Sequence, residues 1–508
     1  MSVATPLSPP AGSAAPARVH RTLALGIILA VQLMVVLDAT IVNIALPGIA
    51  KDLRLGPAGL SWVITAYTLT SGGFLLLGAR AGDLLGRKRV FMAGIGLFTA
   101  ASLLGGLAPN SDLLIGARAL QGLGGALAAP SALAFLMVMF PEGRERLRAL
   151  GYYAAVSVGG GAVGLILGGL LTQIGSWRWV LFVNVPVGVA VVVLAHLFLS
   201  ETPRRRGHFD LVGALTATSG ATSLTYGFVR AASNGWGDPL TVSALALGVG
   251  LLTLYVILER RAAEPITPLR LFADRGRSAS YGARLLVAGA MLGMLFFLTQ
   301  FVQLVLRYSP LETGLAFLPF SVFLFATSQL SARRLTPRYG GRSVMVVGLS
   351  LSTLALLLMT RLTGTSSYLE ILVPAVLFGS GNGLAFVPLT NASLAGVSPQ
   401  DSGAASGLVN VTQQLGGALG LAVLVSIFGS AGAAVVGRSA TAARAAFALG
   451  ADHVFAGASL IMGLTVLLLL AAMRGRRAAT PIAPAAAELP EWVLGLDLGE
   501  EQPEFVEA

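Results

Sequence analysis

The 508-residue chain contains no cysteine and few charged residues. Without cysteine it can form no disulfide and offers no thiol nucleophile and no thiolate ligand for a metal. Charged residues make up 11% of the chain, whereas a soluble domain carries about 25%. Apolar residues make up 55%, and the mean hydropathy is +0.80. These values exclude a soluble enzyme with a single membrane anchor.

Long apolar segments recur from Leu23 to Ala472, and each is long enough to cross a hydrocarbon core of roughly 30 Å. Strands of a membrane barrel would be shorter and would alternate in polarity. The sequence therefore predicts an all-α integral membrane protein with fourteen spans, at 23–47, 58–78, 90–108, 112–139, 149–173, 177–199, 210–230, 239–258, 280–304, 312–331, 343–361, 369–391, 403–429 and 453–473.

The net charge of +11 raises the question of nucleic-acid binding. The basic clusters, however, follow alternate predicted spans and so lie on one side of the membrane, at 87–89, 144–148, 204–206 and 333–342. This is the asymmetry of cytoplasmic loops, and it predicts cytoplasmic N and C termini and no nucleic-acid partner. No GxxxxGK[ST] sequence is present either, which argues against ATP as the energy source.

A Gly-Arg turn occurs once in each half of the chain, at 82–89 and at 338–342. Such a repeat is typical of secondary transporters built from two related bundles with a site between them. We therefore predict two six-helix bundles, 22–200 and 278–475. Residues 201–277 form an insertion of two spans and a cytoplasmic linker. Residues 1–21 and 476–508 are expected to be disordered cytoplasmic tails, the first without a cleavable signal.

Asp38 is the one acidic residue placed well inside a predicted span. An ionisable group at this depth is expensive and usually marks an ion or substrate pathway. Arg118 lies at nearly the same depth in the fourth span. We hypothesise that Arg118 pairs with ionised Asp38 and that protonation releases the pair. The alternatives are a permanently paired structural carboxylate and an arginine that only snorkels or joins helices.

Several motifs accompany Asp38 in the expected spans and order. They are Asp83, Gly86, Arg87 and Lys88 after the second span, Arg118 to Ala126 in the fourth, Gly164 to Gly169 in the fifth, Ser176 to Trp179 with Asn184 and Pro186, and Gly403 to Gly407 with Asn410. Together they resemble the major facilitator superfamily, and within it the fourteen-span drug:proton antiporters (the EmrB/QacA-like group). The resemblance covers nearly the whole chain.

The resemblance implies roles for these residues. Asp38 and Arg118 would couple transport to protons. Asp83, Gly86, Arg87 and Lys88 would form a cytoplasmic gate, with Asp83 near the N-terminus of the thirteenth span, where the helix dipole favours an anion. Gly164, Gly168 and Gly169 would belong to the antiporter helix, although Leu165 stands where that motif has proline. The alternatives are a solvated turn that only sets orientation and a small-residue face for close helix packing.

Polar and aromatic residues within the spans outline a predicted cavity suited to amphipathic molecules. Hydrogen bonding between helices is the alternative for each of them. The predicted cavity residues are Asn43, Trp62, Tyr67, Gln121, Gln300, Gln303, Asn410 and Gln414, with Asn184, Asn382 and Gln413 as further polar residues in spans.

These patterns favour a proton-coupled exporter of drugs, antibiotics or similar amphiphiles in the bacterial inner membrane. We expect it to act as a monomer, without cofactor or metal. A dedicated exporter of a self-made metabolite, peptide, siderophore or lipid remains open. A nutrient importer and a membrane-embedded lipid-modifying enzyme are less favoured, because the fifth span is antiporter-like and no catalytic signature is present.

Overall fold

Every regular element that the structure describes is helical. The structure is a computed structural model and describes residues 18–140, 144–201, 211–262, 265, 267–398, 401–432 and 440–472. Its α-helices are α1 Arg18–Leu53, α2 Pro57–Leu85, α3 Arg87–Gly106, α4 Ser111–Met139, α5 Arg144–Ile174, α6 Trp179–Phe182, α7 Asn184–Phe198, α8 Leu211–Asn234, α9 Pro239–Arg261, α10 Arg275–Leu304, α11 Pro310–Ala316, α12 Leu318–Leu330, α13 Thr336–Tyr339, α14 Gly341–Met359, α15 Tyr368–Leu394, α16 Ser402–Gly432 and α17 Ala440–Ala472.

Thirteen helical segments in the described residues are long and apolar enough to cross a membrane. Two of them are composite: α6 continues into α7, and α11 continues through α12 and a π-helical turn, Ser331–Leu335, into α13. The span predicted at 210–230 corresponds to α8, which has 24 residues but is not among the thirteen. The prediction of an all-helical membrane fold is thus confirmed, whereas the count of fourteen and the orientation of the termini stay predictions.

Local sequence explains where many helices begin and end. Asn110 and Asp274 cap α4 and α10 by accepting from backbone N–H groups three residues on, which satisfies donors that have no intrahelical partner. Gly86 (φ 106°) separates α2 from α3, and Gly340 (φ 79°) separates α13 from α14. Both are left-handed conformations that glycine adopts without strain. The same turn therefore stands at the predicted repeat position in each half.

The predicted boundaries place α1–α7 in one half, which we call the N-terminal half, and α10–α17 in the other, the C-terminal half. In the N-terminal half α1 packs on α5, and α4 packs on α2 and α3. In the C-terminal half α10 packs on α16 and α17, and α14 packs on α15. Helices α8 and α9 form a hairpin, and α8 contacts both α2 and α16. Residues 1–17 and 473–508, which include most of both predicted tails, lie outside the described residues.

The halves meet along α2 and α16, along α5 and α11, and along α1 and α10. The largest apolar core includes α1 from Ile41 to Ile49 together with α10 from Ala279 to Val305. The core around α1 from Ala24 to Met34 contains residues of the N-terminal half alone. Along α1 the halves are therefore joined beyond Asp38, and we call this the joined end of the molecule.

Candidate functional site

Asp38 is wholly buried on α1 and is the acceptor at the centre of a polar cluster. Its carboxylate accepts from Arg118 Nη1 at 2.6 Å, from Gln121 Nε2 at 3.0 Å and from Asn184 Nδ2 at 3.0 Å. The three donors come from α4 and α7. A buried carboxylate is tolerated when it is paired and its lone pairs are hydrogen-bonded, and both conditions hold for Asp38.

Arg118 is 1% exposed and has several partners besides Asp38. Its Nε donates to the backbone oxygen of Val63 at 2.9 Å, and Nη1 also donates to Gln121 Oε1 at 2.9 Å. The guanidinium carbon lies 4.6 Å from the centre of the Tyr67 ring, within range of a cation–π interaction. Because Val63 and Tyr67 belong to α2, Arg118 connects α2 with α1 and α4.

Gln121 extends the cluster to α3, because its Nε2 also donates to Ser102 Oγ at 2.6 Å. Arg118 and Gln121 are three residues apart and so share one face of α4. Glycines of α4 permit the close approach of α3: a Cβ at Gly124 would lie 2.6 Å from the backbone nitrogen of Phe98. The cluster therefore depends on α1, α2, α3, α4 and α7 together.

The predicted pairing of Asp38 with Arg118 is present in the structure. Tyr67 and Gln121, predicted to line a cavity, belong to this buried cluster instead. Asn184 bonds to Asp38 as the first residue of α7.

The other predicted cavity residues make different kinds of contact. Gln303 Nε2 donates to the backbone oxygen of Ile44 at 2.9 Å, and Gln414 Nε2 donates to Ser71 Oγ at 3.2 Å, so both bonds cross between the halves. Buried Gln300 bonds to its own helix.

Asn43 is buried on α1, donates to its own helix and has an Oδ1 atom without a hydrogen-bond partner. Trp62 is half-buried and packs on a small core formed by α2, α8 and α16. Asn410 is exposed and donates to Ser406 of its own helix. These three residues are far less engaged between helices than the Asp38 cluster.

The predicted cytoplasmic gate contains a residue that the motif did not indicate. Glu201, after α7, accepts from the backbone nitrogen of Lys88 at 3.0 Å. Lys88 Nζ donates to the backbone oxygen of His196 at 2.8 Å. The turn at Gly86 is thus held by the chain that follows α7. The side chain of Asp83 lies outside what the structure describes.

Asp83 was predicted to lie at the start of α16. The acidic residue that the structure describes there is Asp401. Asp401 accepts from Arg270 at 2.6 and 2.8 Å. The hydrogen bond from Arg270 holds the pKa of the Asp401 carboxyl below its ordinary value. This pair ties the linker before α10 to the start of α16.

The glycines of the predicted antiporter helix lie at close contacts of α5. A Cβ at Gly168 would lie 2.7 Å from the backbone oxygen of Ile41, and one at Gly164 would clash with Thr40. Gly169 faces Pro310 of α11. The small-residue face therefore packs α5 on α1 and on the C-terminal half, and Leu165, in place of proline, lies in this contact with Gly314.

The sequence analysis did not predict three polar residues that the structure brings into contact with neighbouring elements. Ser102 and Glu201 carry no motif of their own and can be found only from the fold. Arg284 was overlooked as an intramembrane charge, although its position in the span 280–304 could have indicated it. In the described part of the chain no group of three or more His, Asp or Glu side chains could hold a metal ion.

A family model described as Major Facilitator Superfamily matches residues 28–421. The chain belongs to the major facilitator superfamily. It is a multi-pass transporter of the bacterial inner membrane that acts on small molecules, and it is not an enzyme. The enzyme alternative is therefore wrong.

Similar proteins include the puromycin resistance protein pur8 of Streptomyces alboniger, 45% identical over 80% of this chain and 82% of that protein. The cephamycin export protein CmcT of Amycolatopsis lactamdurans is 42% identical over 80% and 85%. A crystal structure of a bacterial homologue of the human lysosomal transporter Spinster, inward-facing and occupied, matches with a TM-score of 0.67. It covers 90% of this chain and 98% of that one at 16% identity, so the likeness concerns the fold.

Proposed function

We propose that this transporter exports drugs, antibiotics or similar amphipathic molecules in exchange for protons. The observation that carries the proposal is the wholly buried Asp38 carboxylate, held by donors from α4 and α7. An acid at this depth is the one group of the cluster that can gain and lose a proton while its partners remain in place. The names of relatives more than 40% identical, which concern antibiotic resistance and export, support the direction of transport.

Protonation of Asp38 would remove the charge that balances Arg118. The guanidinium would keep its bonds to Gln121 and to the Val63 carbonyl, and its contact with Tyr67. It would thus stay on α2 and α4 while its attraction to α1 falls. The proton would therefore act on the packing of α1 against the rest of the N-terminal half.

Helix α1 can transmit this change because it carries contacts to both neighbours. Ile44, about 9 Å beyond Asp38 along the helix, accepts the bond from Gln303 of the C-terminal half. Ile41 packs on Gly168 of α5. A shift of α1 would disturb both contacts at the joined end. Two packed arrangements of this interface would serve as the two states of alternating access.

With the N-terminus in the cytoplasm, the joined end is the outer side of the membrane. In the described state the contacts at the joined end then close the outer side, and Asp38 is wholly buried and out of contact with water. The gate at Gly86 and Lys88 would close the cytoplasmic side in the other state. The proposal also includes fourteen spans that are divided into two six-helix bundles with an insertion between them. We further propose that the protein acts as a monomer and without ATP.

Substrate-driven proton release tests this proposal. The purified protein is reconstituted into liposomes with a pH-sensitive dye inside, and cationic and neutral drugs are added outside. Wild type should move protons when a substrate is added, and Asp38→Asn should abolish this signal. Because the variant leaves Arg118 buried without its anion, size-exclusion chromatography must show that the protein used is folded. Asp112→Asn is the control, because Asp112 is an exposed carboxylate in the first turn of the helix that carries Arg118. Undiminished coupling in Asp38→Asn would contradict the proposal.

A dedicated exporter of one natural compound is the second candidate. It is favoured by the 42% identity with a protein named for cephamycin export. The same liposomes distinguish the two candidates: responses to many unrelated drugs support broad efflux, whereas a response confined to one chemical class supports a dedicated exporter.

A further inference from the structure

Three arginines in the described residues are more than nine-tenths buried: Arg118, Arg277 and Arg284. Arg118 is neutralised by Asp38. Arg277 donates to three backbone oxygens, those of Leu271, Ala395 and Arg270, at 2.6, 3.2 and 3.2 Å. Buried charges are normally paired or fully hydrogen-bonded in this way.

Arg284 on α10 is 5% exposed but has neither kind of compensation. Its Nη2 donates to Thr390 Oγ1 at 2.7 Å, the single hydrogen bond found for this guanidinium in the described residues. Its Nε is buried without a partner. The guanidinium carbon lies 5.4 Å from the centre of the Phe386 ring. The guanidinium thus contacts a neutral hydroxyl and a ring face, and in the part of the chain that the structure describes no anion pairs with its charge.

Arg284 lies at one end of a partly exposed apolar face of α10. It lies about 13 Å along α10 from its first residue, toward the end opposite the joined end. Ala288, Met291 and Leu295 follow it on the same helix face and are all partly exposed. Phe386 on α15 is 48% exposed. An apolar, accessible surface thus leads to a buried and unneutralised cation.

We propose that Arg284, Thr390 and Phe386 form a subsite for an anionic group, such as a carboxylate, sulfonate or phosphate, of an amphipathic ligand. The planar guanidinium offers several N–H donors to such a group. The Phe386 ring and the apolar face of α10 receive the hydrophobic part of the ligand. This inference rests on the proposed function and adds to its cargo molecules that carry a negative charge, alone or in a zwitterion.

The same chemistry is present in cargo and in lipid. A phosphate headgroup from the inner leaflet would satisfy Arg284 as well as a free anionic amphiphile does. The test therefore needs an arm with anionic lipid and an arm without it.

The test measures equilibrium binding of two fluorescent probes to the full-length protein in nanodiscs. The anionic probe is 8-anilinonaphthalene-1-sulfonate, and the neutral one is N-phenyl-1-naphthylamine, which lacks the sulfonate. Arg284→Met should weaken binding of the anionic probe about tenfold, the size expected for loss of a charged hydrogen bond, and leave the neutral probe unchanged. Arg334→Met, the loss of an exposed arginine, is the matched control and should change neither. Equal loss of both probes, or loss of neither, would overturn the proposal.

Two further measurements keep the proposal open to refutation if Arg284→Met does not fold. In wild type, decanoate should displace the anionic probe, whereas decylamine and decyl maltoside should not; equal displacement by all three contradicts the subsite. Replacing phosphatidylcholine by phosphatidylglycerol in the nanodiscs should weaken binding of the anionic probe if the site accepts the headgroup of an anionic lipid. An unchanged affinity assigns the site to free amphiphiles.

The failure of this inference and that of the proposed function can be told apart. Asp38→Asn should lose proton-coupled transport but bind the anionic probe as wild type does. Arg284→Met should retain proton release with cationic drugs. Binding without coupled transport in wild type would refute the proposed exchange while leaving the subsite intact.

Discussion

The two halves of this transporter treat a buried arginine in opposite ways. In the N-terminal half, Arg118 is held by Asp38, Gln121 and a backbone carbonyl in a cluster that closes on itself. In the C-terminal half, Arg284 has one hydroxyl partner and an uncovered ring beside it. Both arginines are buried, yet among the described residues only the first has an acidic partner.

On our proposals, the two halves have different tasks. A balanced pair responds to a proton, because protonation of the acid removes the balance. An unbalanced cation responds to an anion that arrives from outside the protein. The buried pair is expensive to break by removal of one partner, whereas the unbalanced arginine is already in that condition and is stabilised by a ligand.

The largest expected effect comes from breaking the balanced pair on one side. Arg118→Met should destabilise the protein by about 3–5 kcal/mol, because it leaves a buried carboxylate without its cation. The double variant Asp38→Asn/Arg118→Met should regain most of this stability, since neither charge remains, but should not regain proton coupling. Thermal midpoints in detergent and proton release in liposomes measure the two properties. Strictly additive losses of stability would show that the residues do not act as a pair.

The next largest effect is expected when Arg284 of the C-terminal half is given an acidic partner, as Arg118 has in the N-terminal half. Thr390→Glu places an acid beside Arg284 and should raise the thermal midpoint. It should also weaken binding of 8-anilinonaphthalene-1-sulfonate about tenfold, because the guanidinium is already occupied. Thr390→Gln is the control of equal size without charge. If the glutamine variant lowers binding as much as the glutamate variant does, charge is not the reason.

Close glycine packing should be of similar importance in the two halves. Gly168→Ala forces a Cβ to 2.7 Å from the backbone oxygen of Ile41, and Gly289→Ala forces one to 2.8 Å from the Cα of Gly420. Each should cost about 1–3 kcal/mol and slow transport. Gly159→Ala, on the same helix as Gly168 with nothing within 4 Å, should be neutral. Thermal unfolding and initial transport rates check all three.

The smallest effect concerns a partly exposed ion pair that joins Arg230 of α8 to Asp238, the N-cap residue of α9. The hydrogen bond from Arg230 at 2.6 Å lowers the pKa of Asp238 to about 2. Because the folded-state pKa is depressed, the stabilising contribution is present above about pH 4 and is lost as pH falls toward 2. Hydrogen exchange at the start of α9 should accelerate over that window.

Arg230→Gln should move this acceleration to higher pH, because the Asp238 carboxyl then titrates nearer its ordinary value. Unchanged exchange in the variant would show that the cap made by Asp238 to Thr241, rather than the ion pair, controls the loop. The effect measured for the Arg230–Asp238 pair can then be compared with that of the Arg118–Asp38 pair, which is far less accessible to solvent and salt.

Much of the fold follows from local patterns. Apolar length predicts the helices, and glycine in left-handed turns marks the junctions α2–α3 and α13–α14. The depth of Asp38 and Arg118 along their spans predicts their pairing. The proposed gate was predicted only in part, because Glu201 is brought to Gly86 and Lys88 by the packing of α7 on α3.

The sequence by itself determined that the chain lies in a membrane as helices. Only helices and closed barrels satisfy the polar backbone in lipid, and the apolar segments are too long for barrel strands. The sequence also determined that Asp38 is exceptional within these helices. Only the tertiary structure decided that Asn184 and Ser102 join the Asp38 cluster, that Gln303 and Gln414 bond between halves, and that Arg284 lacks an acidic partner among the described residues. The reason is physical. Depth and polarity are encoded along the chain, whereas the rotation of each helix about its axis is fixed by packing against its neighbours.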